Sequence, residues 1–274
     1  MSGLARSASI DIAHAKITYL ILPAFVLQAY PNLLLRLDEK AAITECHLLP
    51  NTFPAQVRYG FEGVAEDGDN VVITVQRAWG GEANPRLAIY NQATDTWKYA
   101  FYPLDAVESQ FGGWVGLSDI APIGEGQFLV LERDNQGGPD AAIKRIYHIN
   151  LGDFSFEDGS TVEKVLVRDL MEDLQSTKGG IFEKVEGLAV TSSGSMWINS
   201  DNDGVDDSAG EQLFMNVGEF TMTEVGEPVP PSDMPETMPE EGEEEMEDTT
   251  SGSGTATTII SVALGMSVVA MLGL

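Results

Sequence analysis

Three short apolar strands, each opening near a carboxylate, constrain this fold more than any other feature of the chain. The leading acids Glu62, Asp119 and Glu186 lie 57 and 67 residues apart. Glu62-Gly-Val-Ala runs into the turn Glu66-Asp-Gly-Asp and then the strand Val71 to Val75. Asp119-Ile-Ala-Pro runs into Gly124-Glu-Gly and then Phe128 to Leu131. Glu186-Gly-Leu-Ala-Val runs into Ser192-Ser-Gly and then Met196 to Ile198. The strand ends Gln76-Arg77, Arg133-Asp134 and Ser200-Asp201 follow the leading acids by 14 and 15 residues each time. Outer strands are expected at Arg86 to Tyr90, Thr96 to Phe101, Ile143 to Ile149 and Glu163 to Val167. A self-similar unit of roughly 40 to 65 residues built from antiparallel strands marks a β-propeller blade. The expected fold is therefore all-β, with about three propeller-type blades over residues 51–222.

In a propeller the first strand of each blade lines the central axis, so acids from different blades can converge there. Carboxylates held together raise one another's pKa unless a cation neutralises them. A hard, oxygen-seeking ion such as Ca²⁺ is the expected occupant, because the lone Cys46 offers no soft-metal cluster. The alternative is that these acids cap turns and face water. A second, local signal is Asn199, Asp201, Asp203, Gly204 and Asp207, at positions 1, 3, 5, 6 and 9 of a calcium-loop pattern. Position 12 is Gly210 and Glu211 comes one place late, so an Asx-turn-rich surface loop is the competing reading.

Nucleophile chemistry has little to stand on. His14, His47 and His148 are the only histidines, and neither a Gly-x-Ser-x-Gly elbow nor a phosphate-binding loop with Lys-Ser/Thr occurs. Acid–metal chemistry remains, in which Ca²⁺ clamps a phosphate and lowers the pKa of bound water. Arg77 and Arg133 stand at matching strand ends and, with Lys144 and Arg145, could hold a phosphate ester. Salt bridging to the many acids is the alternative for all four.

The segments Gly60-Phe-Glu-Gly-Val-Ala-Glu-Asp-Gly, Gln76-Arg-Ala-Trp, Gly113-Trp-Val-Gly-Leu-Ser-Asp-Ile, Leu131-Glu-Arg-Asp-Asn-Gln-Gly-Gly-Pro-Asp, Glu183-Lys-Val-Glu-Gly-Leu and Asp201-Asn-Asp-Gly-Val-Asp-Asp resemble the phytase-like esterase family. The likeness runs from about Tyr59 to Phe214. It implies an acid-rich β-propeller with a hydrolytic role related to that of calcium-dependent propeller phytases. Carried over by position, the functional acids implied are Glu62, Asp119, Glu132, Asp134, Glu186, Asp201 and Asp203.

Charge divides the chain. Its net charge is −28, and no Lys or Arg follows Lys184. Residues 185–274 alone carry −18. Without a basic patch to neutralise phosphates, nucleic acid and anionic membrane surfaces are excluded as partners. Residues 223–258 read as a disordered, self-repelling acidic stalk rich in Pro and Glu. Ser251-Gly-Ser-Gly, a polar spacer and the apolar stretch Ile259 to Leu274 then follow in the order of a glycosylphosphatidylinositol signal, with attachment near Ser251. A single C-terminal transmembrane anchor is the alternative. In the N-terminal segment, residues 1–50, Ile17 to Tyr30 reads as a signal h-region or as part of another blade. Six closed blades at this repeat length need roughly 300 residues, so an incomplete ring is expected. Two functions follow: a cell-surface, calcium-dependent phosphoester hydrolase acting on a small molecule, or a non-catalytic calcium-binding propeller fragment that presents loops to a partner.

Overall fold

The computed structural model describes residues 32–54, 58–157, 159–178, 180–201 and 212–221, and the backbone of strands at Arg6–Ser7 and Ala24–Gln28. In chain order the strands are β1 (Arg6–Ser7), β2 (Ala24–Gln28), β3 (Leu33–Leu37), β4 (Ile43–Leu48), β5 (Phe61–Asp67), β6 (Asn70–Val75), β7 (Arg86–Asn91) and β8 (Thr96–Phe101). They continue as β9 (Val115–Gly124), β10 (Gln127–Asp134), β11 (Lys144–Asn150), β12 (Lys164–Asp169), β13 (Val185–Val190), β14 (Ser195–Ser200) and β15 (Phe214–Glu219). The only helical pieces among the described residues are α1 (Met171–Ser176) and a 3₁₀ turn at Gly138–Asp140.

The strands form four open antiparallel sheets, ordered β2-β3-β4, β1-β5-β6-β7-β8, β12-β11-β10-β9 and β13-β14-β15. The last three start where the repeat places them, and none closes on itself. These are propeller-like blades of an incomplete ring. The expected outer strands are β7, β8, β11 and β12. The third blade has three strands among the described residues. The h-region reading of Ile17 to Tyr30 lies mostly outside those residues. Within it, Ala24–Gln28 pairs along Leu33–Leu37.

Strands such as Val71-Val-Ile-Thr-Val75 read as continuous apolar runs because both faces of their sheet are covered. Successive side chains point to opposite faces. Thus Ala65 and Val72 pack with Leu117, Ile120, Phe128 and Val130 of the next sheet. Their neighbours Val64, Val71 and Ile73 pack with Leu34 and Phe53 on the other side. Beyond the second blade, Ala121, Leu129 and Leu131 meet Leu188, Met196, Ile198 and Val217. Burying the larger of these side chains, each worth about 1.5–3 kcal/mol, stacks the blades.

The hairpin turns also bind one blade to the next. The backbone N–H of Gly126 donates to the Asp67 carboxylate at 2.6 Å, from one β-turn to the other. Gly126 has a φ of +74° and abuts the backbone of Gly152, so a side chain there would be both strained and blocked.

Candidate functional site

The first strands β5, β9 and β13 of three successive blades run beside one another, and the Glu-Gly pairs allow it. A Cβ on Gly63 would stand 2.7 Å from the Asp119 Cα and from the Ile120 nitrogen. The glycine after the leading acid is thus required for close approach of two strand backbones. Asp119, 2% exposed, sits in the middle of β9 rather than at its start. Its carboxylate accepts from the Ile120 N–H at 2.9 Å and from the Leu188 N–H of β13 at 2.8 Å. Asp119 therefore joins two blades through the backbone.

Glu186, the leading acid of the third blade, turns toward a guanidinium. Arg133, at the end of β10 and 2% exposed, donates to Glu186 at 2.5 Å, to the Ser118 hydroxyl at 3.1 Å and to the Asp134 carbonyl at 3.3 Å. Its remaining face lies over Trp114, 5.4 Å from the ring centre. Burial pushes the Arg133 pKa down, while Glu62, Glu183, Asp134 and Asp201 push it up. Glu62 comes from the first blade, Asp134 from the second, and Glu183, Glu186 and Asp201 from the third. Among the described residues the Glu186 carboxylate bonds to the guanidinium, and Glu62, Glu183, Asp134 and Asp201 act on it through their charge. Glu62, half-buried, also accepts from the Gln76 amide at 2.7 Å.

Asp134 accepts from the backbone N–H groups of Ala142 and Ile143 at 2.7 and 2.9 Å. It also pairs with the fully buried Lys144 at 2.5 Å. Lys144 has its pKa lowered to about 8, because burial outweighs the pull of Asp134. Glu132, 0% exposed, enters a second network. It accepts from Lys164 at 2.8 Å and from the Asp105 N–H at 2.6 Å. Lys164 also pairs with Asp105, which in turn accepts from Tyr147 and Arg145. Burial pushes the Glu132 pKa up to about 7 despite Lys164. Burial and then the Glu132 charge push the pKa of the fully buried Tyr102 hydroxyl well up. Asp105 lies in a loop with no pattern to mark it. Lys144 and Lys164, charged residues entering apolar strands, were the visible signal.

Of the four cations considered for a phosphate ester, three hold carboxylates. Arg133 holds Glu186, Lys144 holds Asp134, and Arg145 holds Asp105, Glu108 and Asp169. Arg77 differs. Half-buried, it lies 4.6 Å from the Tyr59 ring centre and 5.1 Å from that of Trp114, with no ion pair among the described residues. Arg58 approaches the same Tyr59 ring at 5.0 Å. Two guanidiniums and two aromatic rings therefore edge the acid cluster.

Among the described residues no three His, Cys, Asp or Glu side chains are grouped to hold a metal ion. The buried acids do not fit one, since each is engaged by a cation or by backbone N–H groups. Of the calcium-loop residues, Asn199 stands in β14 against Gly187, and the Asp201 N–H donates to the Lys184 carbonyl at 2.9 Å. Asp203, Gly204 and Asp207 lie outside the described residues, as do Ser251 and Ile259 to Leu274. No helix among the described residues is long and apolar enough to cross a membrane. His148 is buried in β11, bonded to Gln127 at 2.9 Å and stacked on Phe220.

No curated protein and no solved structure matches the chain. The family model described as "Phytase-like: Esterase-like activity of phytase" matches residues 25–204, reaching upstream of Tyr59 to take in the sheet β2-β3-β4. With its propeller-like blades and a match over more than half its length, the chain belongs to the phytase-like family.

Proposed function

We propose that the chain is a phosphoester hydrolase of phytase-like type whose ester phosphate is held at Arg77. One observation carries this reading. In a chain of net charge −28, Arg77 is half-buried between Tyr59 and Trp114 without a carboxylate partner among the described residues. A guanidinium fixed by two rings presents its N–H fork to a phosphate with little ordering still to be done. Arg58 adds positive charge at the same edge. Glu62, beside Gln76 and in the field of Arg133, is our choice of proton acceptor. Water would attack phosphorus, its proton would pass to Glu62, and the P–O ester bond would break with the proton returned to the leaving oxygen.

Calcium enters this reading at the loop Asn199, Asp201, Asp203 and Asp207, as a structural ion that fixes the end of β14. Attachment to the cell surface through a glycolipid near Ser251 is part of the same proposal, and it rests on the order of stalk, small residues and apolar tail. The non-catalytic alternative, a calcium-binding surface domain, is favoured by the engagement of the buried acids within the fold.

Phosphate release from phytate and from a simple phosphate monoester separates the two. The full chain should turn over at least one of them, and Arg77→Ala should lower kcat/KM by roughly 10²-fold, for loss of a charged phosphate contact. Absence of turnover by the wild-type chain, with calcium and without, would assign it to the non-catalytic class.

A further inference from the structure

We propose that the ester held at Arg77 carries an aromatic body, and that Phe111 stacks on it. The inference rests on the reading of Arg77 as the phosphate site. Phe111 lies on the connection between β8 and β9, residues 102–114, which has no strand or helix of its own. A connection this long inside a compact unit is uncommon and often functional. Its first half is pinned to the second blade. Asp105 accepts from Lys164 at 2.7 Å and from Arg145 at 2.6 Å, and Glu108 accepts from Arg145 at 2.8 Å. Its last residue is pinned as well. The Trp114 N–H donates to the Asn135 side-chain oxygen at 2.7 Å, and the Asn135 N–H donates to the Trp114 carbonyl at 3.0 Å. Between these pins the chain turns, with the Gly112 N–H donating to the Ser109 carbonyl at 3.3 Å, and Phe111 is left 75% exposed on the turn. Gly112 and Gly113 follow at φ of +79° and +95°, which residues with a side chain rarely adopt.

A singly exposed apolar residue is ordinary, but this one differs in two respects. It is the most exposed large apolar side chain among the described residues, and it has no ring partner there. Phe214, the other exposed phenylalanine among them, stacks on Trp197 at 4.9 Å. Phe111 also stands beside the site. Three extended residues span at most about 11 Å, so its Cα is no farther than that from Trp114, whose ring lies 5.1 Å from the Arg77 guanidinium. Two groups near one another thus lack a counterpart among the described residues: a guanidinium without a carboxylate and a phenyl ring without a ring. A phosphate ester with an aromatic body meets both. Its charged end pairs with Arg77 and its flat end covers Phe111, removing apolar surface from water. A polyol phosphate would set hydroxyls against the Phe111 ring and gain nothing from it.

Calorimetric titration of the full chain with two phosphonates tests this. Phenylphosphonate and 2-hydroxyethylphosphonate carry the same charged group on a C–P bond that water does not cleave, one with a flat apolar body and one with a polar body. Wild type should bind the phenyl ligand roughly fivefold more tightly, the gain typical of one aromatic pair. Phe111→Ala should bring that ratio below about two, Phe111→Tyr should keep most of it, and Arg77→Ala should lose both ligands. Phe111 is exposed, so Phe111→Ala should melt with the wild type. An equal ratio in wild type and Phe111→Ala, with binding lost in Arg77→Ala, would overturn the inference and leave the Arg77 site standing. Binding of neither ligand by wild type, or phenylphosphonate binding that survives Arg77→Ala, would overturn both.

Discussion

Glu132→Gln should abolish a pH dependence of stability that the wild-type chain carries between about pH 4.5 and 7. Glu132 is 0% exposed, and burial raises its carboxyl from 4.5 to about 7 in the folded state. An acid with a raised folded pKa binds more protons folded than unfolded across that interval. Its stability contribution is fully present below pH 4.5 and is lost as pH rises through 7. Moving a carboxyl over that range corresponds to about 3 kcal/mol, or a fall of roughly 10 °C in the midpoint of a domain this size. Asp105, its partner across Lys164, works in the opposite sense. Burial raises its pKa, but Lys164, Tyr147 and Arg145 outweigh burial and lower it, so its contribution is lost only as pH falls below 3.8. The two effects therefore occupy separate pH ranges. Glutamine keeps the shape of Glu132 and accepts from Lys164 or from the Asp105 N–H but not from both, so the variant should be less stable at pH 5. What distinguishes it is the slope of midpoint against pH, measured by thermal melting from pH 4.5 to 8. Repulsion among the other acids is common to both proteins and cancels in the difference. Parallel profiles for wild type and Glu132→Gln would refute the reasoning.

Gly63→Ala should destabilise the chain by about 1–3 kcal/mol, read as a lower urea midpoint, because the methyl group would meet the backbone of Asp119 and Ile120, which cannot move aside. Calcium at 100 times its dissociation constant should add about 2.7 kcal/mol to stability, and Asp201→Ala with Asp203→Ala should remove that gain in a melting experiment. The chain should be released from cells by a phosphatidylinositol-specific phospholipase, and Ser251→Pro with Ser253→Pro should prevent attachment. Retention of Ile259 to Leu274 in the membrane-bound protein, seen by mass spectrometry, would indicate a transmembrane anchor instead.

The blades were legible because a strand covered on both faces has to be apolar at nearly every position, and the hairpin turns between such strands need Gly and Asp. Leading acid, turn and strand end therefore fell at fixed offsets, and β5, β6, β9, β10, β13 and β14 lie where those offsets put them. That the first strands of successive blades adjoin was also legible. The partner of Glu186 was not. Its pairing with Arg133 depends on how Ser118, Trp114 and the Asp134 carbonyl hold the guanidinium. None of these has a sequence spacing relative to Glu186. The Glu132 network was hidden for the same reason: Asp105 lies 27 residues from its partner, in a loop. Arg77 and Arg133 looked equivalent at matching strand ends. They differ because Glu186 reaches one guanidinium and two aromatic rings enclose the other.

Titration of the full chain with inorganic phosphate, followed by ³¹P NMR and calorimetry, tests the central claim most directly, because it asks for phosphate recognition at Arg77 without requiring turnover. Saturable binding is expected for wild type in the presence of chelator. It should fall with added salt, as charge pairing at a half-exposed site requires, and it should be lost in Arg77→Ala while the melting midpoint changes little. Equal binding by wild type and Arg77→Ala, or phosphate binding that appears only when calcium is added, would contradict it.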